Sequence, residues 1–149
     1  MPLPILHDPE TRASITRRIA SLQPTAMPRW GKMTVDQMLW HVNCSLENAL
    51  GRYEVRDVRL PLPRSVIKFL ILRMPMRHRN APTAPEYIAR TRHDFDAERA
   101  RLIRLIEELT AKSLDDAWRD NAFMGRMSGR DWSRLQARHL DHHLTQFGV

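Results

Sequence analysis

The residues with the most chemical potential are crowded at the carboxyl end, where "RHLDHHLTQFGV" carries His139, His142 and His143. Imidazole is the commonest metal-binding side chain, and two imidazoles one helical turn apart share a face. His139 pairs with His143 by a four-residue step and with His142 by a three-residue step, and periodicity leaves both pairings open. A second histidine, His41, lies within "DQMLWHVNCSL" among Met38, Leu39 and Val42, an apolar setting that turns it away from solvent. On that segment Gln37, His41, Cys44, Ser45 and Asn48 recur at three- and four-residue steps and form a polar seam. On the last segment Trp132, Leu135, Gln136, His139, His143 and Gln146 share a face by the same count. Where the two seams meet, three neutral imidazoles address one point.

Three imidazoles with bonds of ~2.0–2.1 Å leave a fourth position for water or substrate, as catalytic zinc sites do. Imidazole also suits nickel, iron and copper, so the expected cofactor is a divalent transition metal, zinc, nickel or iron among them. Such an ion lowers the pKa of a bound water or thiol. The expected function is therefore a metal-dependent enzyme, a hydrolase where water is what the ion activates, with the general base unassigned because no acidic residue falls on the seam. The alternative is a non-catalytic metal-binding or dimerising bundle, in which Cys44 or Asn48 fills the fourth position. Gln37 and Gln146, each one turn from a histidine, are expected to orient imidazoles or substrate. Cys44 reads as a buried, inert thiol, and His7, His78 and His93 read as solvated.

The elements that must position these groups are helices. "HDPETRASITRRIASL" has Asp8 to cap, Pro9 at the first helical position, and an Ile15, Ile19, Leu22 stripe that ends before Pro24. "MTVDQMLWHVNCSLENALG" opens on a Thr34/Gln37 capping box and closes at Gly51. "RSVIKFLILRM" is a short apolar helix stopped by Pro75 and expected to pack under the bundle, and "RNAPTAPEYI" is expected to be an extended arm. From Asp94 a long helix places Phe95, Leu102, Leu105, Ile106 and Leu109 on one side and acid–base pairs on the other. After the "NAFMGRM" loop a final helix starts at Ser128, with Asp131 completing a second capping box, and runs to Gly148. No segment reads as a strand, and the class is all-α.

At 149 residues the chain is expected to be one domain, 1–149. The single cysteine excludes an internal disulfide framework and fits a reducing, cytoplasmic setting. No signal peptide is read in the proline-containing start, and "SVIKFLIL", broken by Lys68, is far short of the ~20 apolar residues of a membrane span. No membrane partner is therefore expected. The net charge of +7 comes from arginines scattered through every segment, so nucleic acid is not expected as a partner either. The apolar excess of "VIKFLIL" leads to the expectation of a homodimer.

Trp40 and His41 in mid-helix, together with "RWGKMTVDQMLWH", "NAPTAP" and the terminal "HLDHHLTQFG", resemble the DinB/YfiT-like metalloprotein superfamily, and most closely a small bacterial branch of it. The resemblance covers nearly the whole chain. It implies a four-helix up-down-down-up bundle with an additional short N-terminal or inserted helix, often dimeric. It also implies a divalent metal held by His41, His139 and His143, and a small-molecule thiol as substrate for transfer or isomerisation. The long connection from Tyr53 to Pro85 departs from the shorter ones of the thiol transferases.

Overall fold

The computed structural model describes residues 2–75 and 83–149. Helix α1 (Pro9–Ser21) starts where the Asp8 carboxylate accepts the Thr11 N–H at 2.9 Å, and Pro9 follows in the one turn where a missing N–H costs nothing. Its Ile15 and Ile19 are buried, and it packs on the last helix. Helix α2 (Val35–Ala49) starts where Gln37 Oε1 accepts the Thr34 N–H at 3.1 Å. It stops through Gly51, whose φ of +80° is open to glycine at little cost.

Helix α3 (Arg64–Arg73) follows, and then, after residues that lie outside the description, a 3₁₀ turn over Pro85–Tyr87. Helix α4 (Phe95–Ala111) is capped by Asp94, which accepts the Ala97 N–H at 2.8 Å, and buries Leu102, Leu105, Ile106 and Leu109. Its outer side carries pairs such as Arg99–Asp96 at 3.1 Å. Helix α5 (Gly129–Gln146) opens on the reciprocal Ser128 and Asp131 bonds, 3.1 and 3.0 Å.

Among the described residues the chain is all-α with no strand; one isolated bridge, Asn121 to Gly125, closes the loop before α5. α2 is the central helix. It packs chiefly on α4 and also on α5, so twelve of its positions, from Val35 to Ala49, are buried, and their polar members must find partners inside. Asp36 is an example: its buried carboxylate takes the Arg92 guanidinium at 2.9 Å and the His93 N–H at 2.8 Å. Burial opposes the charge, but those bonds hold its pKa well below the usual carboxylate range. The pairing clamps the start of α2 to the chain entering α4.

Three expectations change. The proline-rich arm is not extended throughout, because Pro85, Glu86 and Tyr87 close a 3₁₀ turn, with proline at a position that needs no donor. α3 packs under the bundle by one side only: Ile67 and Leu72 are buried, whereas Val66, Phe69 and Leu70 are exposed. His7 is not a solvated residue. Its Nδ1 lies 2.8 Å from Ser133 Oγ and its Nε2 2.9 Å from Lys112 O, which ties the amino end to α5 and to the end of α4.

Candidate metal centre

Both seams do meet. α2 and α5 face each other along a polar line on which Ser45 and Gln136 exchange bonds at 3.1–3.3 Å, and one turn further along stand His41 and His139. His143, one turn past His139 on α5, completes the group. One ring nitrogen from each of His41, His139 and His143 lies within 4.8 Å of the others. The ring centroids are 4.8–4.9 Å apart in each pair, with every pair edge to face.

Two of the rings are fixed from behind. His41 Nδ1 lies 2.8 Å from the Tyr87 carbonyl oxygen, which can only accept, so Nδ1 carries the proton and Nε2 keeps a lone pair turned inward. His143 Nδ1 lies 2.7 Å from Gln146 Oε1. Gln146 is itself oriented, because its Nε2 donates to the Trp30 carbonyl at 2.8 Å, and this leaves its oxygen for His143. An acceptor on the outer nitrogen is the usual support of a metal-binding imidazole.

Burial makes the protonated ring unfavourable at each position. It depresses the His41 pKa, and a neighbouring charge on His142 would depress it further, against the Tyr87 bond. It drives His139 well below the ordinary value, with His143 and His41 adding to the effect. It takes His143 down to about 3, again with His41 contributing and Gln146 opposing. The three imidazoles are therefore neutral at pH 7, the form that binds a metal ion.

His41 Nε2 and His139 Nε2 stand only 2.9 Å apart. Facing lone pairs at that distance repel unless a proton or a cation lies with them, and no carboxylate or cysteine joins the group among the described residues. Three neutral nitrogen donors converging on one point, two of them held by outer acceptors, fit a divalent transition ion. Such an ion has ligand bonds of ~2.0–2.1 Å.

A family model described as the DinB superfamily matches residues 10–147. The chain belongs to the DinB superfamily. Membership rests on nearly the whole length, from α1 to the end of α5, so the histidines of α2 and α5 lie well inside the matched region. No curated protein and no solved structure gives a significant match.

In this DinB-superfamily chain the remaining candidates fall outside the three-histidine group. His142 turns its ring to Trp30, with centroids 5.5 Å apart, and borders His143 without joining the cluster. Gln37 does not orient an imidazole: its oxygen takes the Thr34 N–H, and its Nε2 donates to Thr91 O at 3.2 Å. Asn48 donates to Tyr53 O at 2.7 Å. Cys44 is buried, which pushes its thiol pKa up to about 11, and it does not join the group. His93 is not solvated either, since it stacks on Trp40 with the planes 11° apart. His78 lies outside the described residues.

Sequence reasoning missed Tyr87. Its contribution is a carbonyl oxygen, which every residue has, and only the fold of the Pro85–Tyr87 turn brings it to His41. Tyr87 also sets its ring edge-on to His41 at 5.9 Å and stacks on Tyr53 at 6.0 Å, which makes an aromatic wall beside the cluster.

Proposed function

We propose that the protein is a divalent-metal-dependent enzyme that activates a small thiol or water for transfer or hydrolysis, with His41, His139 and His143 as metal ligands. The observation that carries this reading is the convergence of three neutral imidazoles that no further histidine, cysteine or carboxylate of the described residues joins. A divalent ion held there supplies a Lewis acid that lowers the pKa of a thiol or water. The chain's own residues hold and orient. Tyr87 O and Gln146 keep the protons of His41 and His143 on the outer nitrogens, and the buried Ser45–Gln136 contact keeps α2 and α5 in register one turn below. The reading also takes residues 1–149 as one domain in which α1, α2, α4 and α5 form the up-down-down-up bundle and α3 is the inserted helix.

A non-catalytic metal-binding bundle is the second reading, and one observation favours it: among the described residues no carboxylate stands in the group to act as a general base. The deciding experiment offers metal-loaded protein low-molecular-weight thiols with electrophilic acceptors, and then hydrolysable amides and esters. Faster turnover by the wild type than by His41→Ala is expected. Equal rates on every substrate, with full metal occupancy in the wild type, leave the second reading.

A further inference from the structure

Helix α3 has two unlike sides. The inner side is held to α5: Ile67 and Leu72 are buried, Lys68 pairs with Asp131 at 2.7 Å, and Arg138 donates to Ile71 O at 3.0 Å and to Met74 O. On the outer side Leu62, Val66, Phe69, Leu70 and Met74 are 41–54% exposed. Their steps of three and four residues align them as one stripe along the helix and its two ends. Among the described residues the other large apolar side chains this exposed are only Met27 and Ile88, so the stripe is a concentrated feature and not general surface scatter.

The charge around the stripe is mainly basic. Among the described residues between Asp57 and Glu86 the cations are Arg59, Arg64, Lys68 and Arg73; Arg64 is paired with Asp57 at 3.3 Å and Lys68 with Asp131, which leaves Arg59 and Arg73 for a partner. Arg59 and Arg73 are exposed, and so is Arg126, whose carbonyl accepts from Lys68 at 2.9 Å and thus borders the helix. An exposed apolar stripe flanked by basic side chains is the composition of a helix that lies in the interfacial plane of an anionic bilayer.

The alternatives fit less well. A second copy docked by a two-fold axis would set Arg59 and Arg73 against their own copies, with Asp57 and Asp131 already paired to Arg64 and Lys68. A groove that grips an amphipathic helix cannot close around α3, because the opposite side of the helix is already packed on α5. A nucleic acid backbone would find arginines but would leave the apolar stripe without a partner. Spanning length is not needed for a helix that lies flat, so the lack of a helix long and apolar enough to cross a membrane has no bearing on it.

We propose that α3 is a membrane-docking helix that seats Phe69 and Leu70 in the surface of an anionic bilayer, with Arg59 and Arg73 among the headgroup phosphates. The test is flotation of the full chain with phosphatidylcholine vesicles, with and without phosphatidylglycerol, at physiological salt. Wild type should float only with the anionic vesicles. Phe69→Ser with Leu70→Ser, and separately Arg59→Glu with Arg73→Glu, should each lower the bound fraction by roughly tenfold or more. A control with the same charge change elsewhere, Arg17→Glu with Arg104→Glu, should float like wild type. All of these side chains are exposed, and unchanged helical circular dichroism shows that each variant is folded. No flotation by wild type, or an equal loss in the control, overturns the proposal. Conversion of a dimer to a monomer by the Phe69/Leu70 variant, without an effect on flotation, overturns it in favour of a second copy at this face.

Discussion

Gln146 Oε1 accepts the Nδ1 proton of His143 at 2.7 Å, three residues apart on the last turn of α5, while the other end of the same amide donates to Trp30 O. The amide is thereby locked in one orientation, and through it so is the His143 tautomer. Gln146→Ala should weaken divalent-metal affinity by about 10–100-fold, the usual effect of losing a support behind an imidazole. A competition titration against a chromophoric chelator measures it, and Gln146→Glu, which keeps an acceptor, should recover most of the loss. Equal affinity in wild type and Gln146→Ala would remove the positioning role.

Each of the three clustered histidines should matter more than the one beside them. His41→Ala, His139→Ala or His143→Ala should abolish stoichiometric metal retention after dialysis, read by elemental analysis. His142→Ala should largely spare it, because that ring turns to Trp30 and not into the group. The reverse ranking of His142 and His143 would reassign the ligand.

Metal-free protein should lose stability as the pH falls below ~6.5, where imidazoles of the unfolded chain take up protons. All three folded-state pKa values are depressed, with His143 at about 3, so the folded cluster refuses those protons until far lower pH. The unfolded state then binds more protons, and the slope is at most about 1.4 kcal/mol per pH unit for each imidazole. Above the unfolded value these groups add no pH dependence. Urea unfolding between neutral pH and pH 4 checks the sign, and His143→Gln should flatten the slope.

Asp36→Asn should destabilise the fold by about 1–3 kcal/mol, since it weakens a buried carboxylate's bonds to Arg92 and the His93 N–H. Its pH window lies lower. A depressed carboxylate pKa supplies stability above the unfolded value of 3.8 that disappears as pH falls through the folded value. Arg92→Ala should cost less, because that side chain is mostly exposed.

Gly129→Ala should lower the melting temperature. A β-carbon there would stand 2.4 Å from Leu114 O and 2.5 Å from Trp118 Nε1, and the nearer atom is backbone, which cannot swing aside. A cost of about 1–3 kcal/mol is expected from such crowding. A melting temperature equal to wild type would show that the loop before α5 yields.

Helix starts and stops were legible in the sequence because caps are local. Asp8 with Pro9, Thr34 with Gln37, Asp94, Ser128 with Asp131, and Gly51 each act within one turn of themselves, and every one lies at an observed boundary. Periodicity also placed His41 and His139 on facing seams, because a helix repeats every 3.6 residues whatever surrounds it. It did not separate His142 from His143. Steps of three and four residues both return to one face, and the choice depends on how α5 is rotated against α2, which the packing of Trp132, Gln136 and Leu140 decides. Nor could it find Tyr87 O, or the tie of His7 to Ser133 and Lys112, since these are meetings between groups distant in the chain. Which polar side chain serves a ligand was decided in the same way. Gln37 and Gln146 each stand one turn from a histidine, yet only Gln146 reaches its ring, because Gln37 is already held by its own cap and by Thr91 O.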